Sequence, residues 1–316
     1  MNRQINGLPQ QKLAMPNDST ELHIAAQKGD NEAVAALLRE GVAVDAEDRY
    51  GRTSLHLATE KGYVDVVHQL IRGKAEVNAT TRAGWTALHY ASMSGHNELV
   101  KLLLSVGSHI DAPNKEKMTP MHFAVRSGQG YTVLVLLNHG ASVSVRNMFD
   151  ETPLMLAAGG NNELIVRSLI KANAEINAST GMGETALHWA ARNGRRNIAS
   201  LLIENGANVN AHSGDVGTPL MAASADGHPT VGALLIRSGA RLDAVDRLRM
   251  TSLHWAVRYD HARVVSLLVN KGAQINSINN SGETPMDLAA EHSADDILTL
   301  LRRRGGKHAH ELGTDP

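Results

Sequence analysis

Residues 80–112 read TTRAGWTALHYASMSGHNELVKLLLSVGSHIDA and contain the pattern that decides the fold. Thr86 can begin a helix, because its hydroxyl can accept a hydrogen bond from an early backbone N–H. Apolar and small residues follow it at helical spacing, and Gly95 suits the left-handed conformation in which helices often end. A second helix is predicted over about 97–105. The stretch therefore predicts a turn, a helix, a second turn, a helix and an extended loop.

The same pattern recurs along the whole chain at a spacing of 33 residues. A Thr followed two residues later by Leu or Met stands at Thr20, Thr53, Thr86, Thr119, Thr152, Thr185, Thr218, Thr251 and Thr284. No insertion or deletion interrupts this series. A fixed period of this length indicates a repeat protein in which each unit buries its apolar face against its neighbours.

Residues 185–211, TALHWAARNGRRNIASLLIENGANVNA, resemble the ankyrin repeat. The pattern of that family is a tip turn, then T-P-L-H-x-A-A, a Gly, V-x-x-L-L and G-A-x-V-N-A. The resemblance covers about residues 14–310 and implies an all-α solenoid of nine helix-turn-helix units with hairpin-like tip turns. The units are expected at about 14–46, 47–79, 80–112, 113–145, 146–178, 179–211, 212–244, 245–277 and 278–310. They lie between a flexible N-terminal segment, 1–13, and a C-terminal tail, 311–316.

Composition excludes several classes of function. The chain has no Cys, so disulfides, thiolate zinc sites and cysteine nucleophiles are excluded. A formal net charge of -1 and an aromatic content of 3% argue against nucleic acid as a partner. The longest apolar runs are a few residues, so no membrane insertion is expected. The N-terminus lacks the apolar stretch of a secretory signal, and a cytoplasmic location is predicted, with the nucleus as the alternative.

Histidine is the residue most easily mistaken for a site. Six of the 16 histidines stand three residues after the Thr, at His23, His56, His89, His122, His188 and His254. One per unit, they lie about 10 Å apart and cannot converge on one metal ion. In the resembled family this His bonds the Thr and the turn backbone, which implies a structural role. His308 and His310 are expected in a frayed, solvated tail.

No motif for catalysis or cofactor binding is present. The sequence has no G-x-S-x-G elbow, phosphate-binding loop, dinucleotide fingerprint or H-E-x-x-H. We therefore predict no catalytic residue, no cofactor and no metal ligand, and we expect that the protein is not an enzyme.

The fifth and seventh units replace the His with Met155 and Met221, and we expect them to be the softest parts of the stack.

Positions that vary between units are available for recognition, and in the resembled family they line the concave surface. Aromatic, Met and Arg side chains are the types enriched at interface cores. The first group of candidate partner-binding residues is Arg49, Tyr50, Arg52, Lys61, Arg82, Trp85, Met93, Met118, Arg126, Met148 and Phe149. The second group is Arg247, Leu248, Arg258 and Tyr259. The alternative is that the tip aromatics only pack on neighbouring turns.

These patterns predict a non-enzymatic scaffold, a monomer that binds a protein or peptide partner through the concave face. The basic bias of the first group suggests an acidic or phosphorylated partner segment with an apolar anchor. The alternative is an adaptor or regulatory subunit that recruits a substrate to a larger enzyme complex. Simultaneous binding of two proteins would distinguish the adaptor from the simple binder.

Overall fold

The computed structural model describes residues 19–214 and 216–313. These residues form an all-α solenoid of consecutive helix pairs, and its helices are compatible with nine repeat units. The helices are α1 Glu21–Lys28, α2 Asn31–Arg39, α3 Ser54–Lys61, α4 Val64–Arg72, α5 Ala87–Ser94, α6 Asn97–Ser105, α7 Pro120–Arg126, α8 Gly130–Asn138, α9 Pro153–Gly159, α10 Glu163–Lys171, α11 Ala186–Arg192, α12 Arg196–Glu204, α13 Pro219–Ala225, α14 Pro229–Arg237, α15 Ser252–Arg258, α16 Ala262–Asn270, α17 Pro285–Glu291 and α18 Asp295–Arg303. The N-terminal segment predicted over 1–13 lies outside the described residues, as do 314–316 of the predicted tail.

The chain divides into two compact units, Met1–Lys115 and Glu116–Pro316. We call them the N-terminal unit, which contains α1 to α6, and the C-terminal unit, which contains α7 to α18. In each unit the odd-numbered helices pack in one row, and the even-numbered helices pack in a second row behind it. The core of each unit lies between its two rows, where leucines such as Leu99 and Leu103 are fully buried.

Each odd-numbered helix begins at the repeated Thr. Thr86 has an extended backbone with φ -99°, and its hydroxyl and the side chain of His89 form a reciprocal capping box. α5 ends at Gly95 with φ 75°, a left-handed conformation that glycine adopts without a steric penalty. The turn after α9 is different, because Gly160 is extended with φ -73° and ψ -166°.

The buried histidines join neighbouring helix pairs. The backbone N–H of Thr185 donates to Nδ1 of His188 at 3.1 Å, and Nε2 of His188 lies 3.0 Å from the carbonyl oxygen of Gly217 in the next pair. Because an N–H can only donate, Nδ1 is the acceptor, and the ring is neutral with its proton on Nε2. Burial lowers the pKa of His56, His122 and His188 to about 4, which favours this neutral form. The geometry confirms the structural role of this histidine position.

Two further side-chain contacts join the pairs. At the start of α14, Nε2 of His228 donates to the carbonyl of Arg192 at 2.8 Å and so satisfies a carbonyl at the end of α11. In the loop after α12, Nδ2 of Asn210 donates to the Gly239 carbonyl at 3.0 Å, and its Oδ1 accepts from the Arg241 N–H at 2.8 Å. The junction between α11–α12 and α13–α14 therefore has side-chain hydrogen bonds from three repeat positions.

Methionine replaces the buried histidine in α9 and α13. Met155 Sδ lies 3.5 Å from the Thr152 N–H nitrogen, and Met221 Sδ lies 3.4 Å from that of Thr218. A thioether is a weak acceptor and has no proton to donate, so this position makes no hydrogen bond to the following pair.

The residues that follow α18 fold back on the helix pair α17–α18. Asp287 stands at the histidine position and accepts hydrogen bonds from the N–H groups of Thr284 at 2.9 Å and Ala309 at 3.0 Å. Its other oxygen lies 2.7 Å from Nδ1 of His308. Burial raises the pKa of Asp287, but these hydrogen bonds outweigh burial and hold the pKa at about 2. The expectation of a frayed, solvated tail is wrong for His308, which is half-buried ahead of a 3-10 helix at Ala309–Glu311.

Candidate partner-binding surfaces

In the N-terminal unit, Tyr50 is the centre of a basic cluster. Its side chain is 46% exposed, and the guanidinium carbons of Arg49 and Arg52 lie 4.6 and 5.1 Å from its ring centroid. Arg52 also forms an ion pair with the buried Asp48 at 2.8 Å, so its charge is compensated. Burial raises the pKa of Asp48, and hydrogen bonds from Arg52 and Tyr50 lower it by more, so the carboxylate stays ionised. Arg49 is the cation that this cluster leaves available, because it is exposed and has no carboxylate partner among the described residues.

Trp85 is half-buried and packs on its own helix. Its ring centroid lies 5.0 Å from that of Tyr90 and 5.9 Å from that of His89. This position supports the alternative that a tip aromatic serves packing, and it leaves only part of the indole at the surface.

The other candidates of this unit differ in exposure. Arg82 is exposed, and its backbone N–H donates to the Tyr50 carbonyl at 2.9 Å, which links two consecutive tip turns. Lys61 is exposed, and its Nζ lies 3.5 Å from Oε1 of Glu60. Met93 is half-buried on α5. The exposed members of the first group in this unit are thus mainly cations.

In the C-terminal unit, the tip turn before α9 holds two apolar side chains in solvent. Met148 is 54% exposed and Phe149 is 64% exposed. The side chain of Asn147 fixes the turn by accepting hydrogen bonds from the N–H groups of Phe149 at 2.9 Å and Glu151 at 3.0 Å. Met182, 33 residues after Phe149, is 63% exposed, and sequence reasoning missed it.

Met118 and Arg126 occupy contrasting positions in the same unit. Met118 is only 3% exposed, so it can serve a surface only by supporting other side chains. Its sulfur lies 3.7 Å from Nη1 of Arg126, and the Arg126 guanidinium carbon lies 5.1 Å from the Phe123 ring centroid. Arg126 itself is exposed at the end of α7.

The second group of candidates surrounds Trp255. The Tyr259 ring stacks on the Trp255 ring with centroids 5.9 Å apart and an interplanar angle of 10°, and the Arg258 guanidinium carbon lies 5.9 Å from the Trp255 centroid. Leu248 is 53% exposed and Tyr259 is 52% exposed, while Arg247 and Arg258 are also exposed.

Five residues end the successive odd-numbered helices α7 to α15, and we call them the helix-end row: Arg126, Gly159, Arg192, Ala225 and Arg258. Two hollows open along this row where its small members stand.

The Gly159 hollow, of about 470 Å³, is lined by Arg126, Leu156, Gly159, Gly160, Trp189 and Asn193. The Ala225 hollow, of about 390 Å³, is lined by Arg192, Met221, Ala225, Asp226, Trp255 and Tyr259. Arg126, Arg258 and Tyr259 are among the candidate partner-binding residues of the sequence analysis, and Gly159, Trp189 and Ala225 are not.

Within residues 19–214 and 216–313, no three His, Asp or Glu side chains lie close enough together to hold a metal ion. Of the helices that the structure describes, none has the length and apolar character needed to cross a membrane.

A row of two-helix layers with variable side chains at its turns and helix ends defines an α-helical repeat protein. A family model described as ankyrin repeats (3 copies) matches residues 4–81, 65–147, 143–213 and 217–310. The chain belongs to the ankyrin repeat family, whose repeats are generally protein–protein interaction modules. Comparison with the curated proteins gives no match.

Proposed function

We propose that this chain is a protein-binding scaffold without catalytic activity, which engages its partner through tip turns and the ends of the odd-numbered helices. The observation that carries the proposal is the exposure of Phe149, 64%, on a turn that Asn147 holds in place. Burial of an exposed aromatic side chain by a partner stabilises the complex, and such residues dominate the binding energy at interfaces.

The N-terminal unit supports a partner segment that is acidic or phosphorylated and has an apolar anchor. Arg49 is an exposed cation beside the half-exposed ring of Tyr50, and the exposed Arg82 is joined to Tyr50 through its backbone N–H. Guanidinium groups form the strongest hydrogen bonds with carboxylates and phosphates, and a tyrosine ring offers apolar area next to them.

An adaptor is the second candidate function. Each compact unit carries its own group of exposed aromatic, Met and Arg side chains, so each could hold a different protein. An adaptor would bind two preys at once, and analytical ultracentrifugation of the ternary mixture would detect this. We further propose a monomer located in the cytoplasm or nucleus, which sedimentation and imaging of a tagged chain can check.

The test is an affinity pull-down from source-cell lysate with the full chain and two variants. Tyr50→Ala/Phe149→Ala removes one exposed ring from each unit, and Tyr131→Ala is the control because Tyr131 is 56% exposed on the even-numbered helix α8. Circular dichroism first establishes that all three proteins fold alike. The expected result is a specific prey that the control retains and the double variant loses. Equal recovery by all three proteins would contradict the assignment of these residues.

A further inference from the structure

The C-terminal unit contains a longer period inside its 33-residue repeat. Residues 122–126, 188–192 and 254–258 read HFAVR, HWAAR and HWAVR. Between them, residues 155–159 and 221–225 read MLAAG and MAASA. An aromatic residue with an Arg therefore alternates with aliphatic and small residues, and the alternation repeats every two helix pairs.

In the structure, this alternation places cations and hollows in turn along the helix-end row. Arg126 and Arg258 lie beside the rings of Phe123 and Trp255, and neither has a carboxylate partner among the described residues. Arg192, between them, is paired with Glu184. The helix-end row thus has an uncompensated cation on each side and two hollows between those cations.

The walls of the hollows are suited to apolar side chains. Trp189 forms one wall of the Gly159 hollow, and a Cβ on Gly159 would lie 3.0 Å from Cε3 of its ring. Trp255 and Tyr259 form a stacked wall of the Ala225 hollow. Concave sites lined by aromatic rings with a few polar groups are typical of ligand anchors.

The spacing of the hollows fits an extended chain. They belong to α9 and α13, which are separated by α11 in the same packed row. Neighbouring helices lie about 8–10 Å apart, so the hollows are about 16–20 Å apart. An extended peptide advances about 3.3 Å per residue and covers that distance in about five or six residues.

We propose, resting on the proposed function, that the helix-end row binds an extended acidic peptide with two large apolar anchors five or six residues apart. One anchor occupies the Gly159 hollow and the other the Ala225 hollow. Carboxylates of the peptide lie outside the anchors, next to Arg126 and Arg258, because Asp226 in the Ala225 hollow repels acidic groups from the centre.

The test begins with selection of a phage-displayed library of random 16-residue peptides on the full chain. The expected result is enrichment of peptides with two Leu, Ile, Phe or Trp residues five or six positions apart and Asp or Glu outside them. The most enriched peptide is then synthesised with a fluorescent label, and its Kd is measured by polarisation.

Variants locate the peptide on the row. Gly159→Met/Ala225→Met fills both hollows with methionine, the residue that the third unit has at the equivalent position, Met93. Thr230→Met, at an exposed position on α14, is its control. Arg126→Ala/Arg258→Ala removes the two free cations, and Arg263→Ala, exposed on α16, is the charge control. Each double variant is expected to raise Kd at least tenfold, and each control less than twofold. Moving the peptide anchors to three positions apart is expected to raise Kd tenfold as well.

The outcomes separate this inference from the proposed function. Enriched peptides that bind the filled double variant as tightly as the original chain would overturn the two-hollow inference and leave the scaffold function standing. Enrichment without the five- or six-residue spacing would overturn it too. No enrichment on the chain, together with no specific prey in the pull-down, would overturn both.

Discussion

The helix pair α11–α12 is joined to its two neighbours by different side chains. Toward α13–α14, three side chains bridge the junction: His188 to Gly217 O at 3.0 Å, His228 to Arg192 O at 2.8 Å and Asn210 to Gly239 O at 3.0 Å. All three distances are those of well-formed hydrogen bonds. This junction therefore includes the bond from the histidine position.

Toward α9–α10 the same pair lacks the bond from the histidine position. Met155 gives no hydrogen bond across the junction, and Arg195 Nε reaches the Gly159 carbonyl at 3.3 Å. Asn177 donates to the Gly206 carbonyl at 3.0 Å, and Arg146 Nη1 donates to the Ser179 carbonyl at 2.7 Å. The Gly159 hollow opens at this junction, so the repeat gives up the histidine contact in the same layer in which it gains a concave surface.

The largest expected effect is a dependence of stability on pH that originates in the histidine layers. His56, His122 and His188 have a pKa of about 4 when folded, against 6.5 for the free side chain. Between these pH values the unfolded chain binds more protons, so the free energy of unfolding falls as pH falls from 6.5 and is fully retained above it. At pH 5, each of these histidines should lower the free energy of unfolding by about 2 kcal/mol. Urea unfolding followed by circular dichroism from pH 7.5 to pH 5 measures this, and a flat profile would contradict it.

His188→Met gives the junction toward α13–α14 the methionine that the junction toward α9–α10 has at the histidine position. The variant loses the bond to Gly217 O and leaves that buried carbonyl with one partner fewer, so we expect the free energy of unfolding at pH 8 to fall by about 2 kcal/mol. His292→Met is the control, because His292 is exposed at the end of α17. The gap between the original chain and His188→Met should narrow at pH 5, since the variant no longer has this proton to bind.

Met155→His is the reverse change and has the smallest expected effect. The Thr152 N–H faces Met155 as the Thr185 N–H faces His188, and the Glu184 carbonyl stands one repeat before that of Gly217. We expect a gain of about 1 kcal/mol in the free energy of unfolding at pH 8, the net contribution of one added hydrogen bond. A loss of stability would show that the layer around Met155 has closed too tightly to admit an imidazole.

Local rules predicted most of the fold. The second helix expected over 97–105 is α6, Asn97–Ser105, and Thr86 caps α5 as its position before a helical run indicates. These features depend on residues within one or two turns of each other, so the chain itself shows them.

The features that sequence reasoning missed depend on distant partners. Met118 is buried at a tip position where Trp85, its counterpart one repeat earlier, is half-buried. His308 is held by Asp287, 21 residues earlier, which no local pattern near the C-terminus indicates. The hollows are a partial exception, because the alternation of Arg with Gly159 and Ala225 is visible in the sequence at a period of two repeats.

Asp287 gives the helix pair α17–α18 a contact that the histidine layers do not have. Five residues of the histidine position donate from Nε2 to a carbonyl of the following helix pair, namely His23, His56, His122, His188 and His254. An ionised carboxylate has no proton to donate. The carboxylate reverses the direction of the hydrogen bonds, and the Ala309 N–H and His308 satisfy it from within the same chain. A single side chain at this position thus decides whether a helix pair donates a hydrogen bond to the pair that follows it or accepts one from the segment after its own second helix.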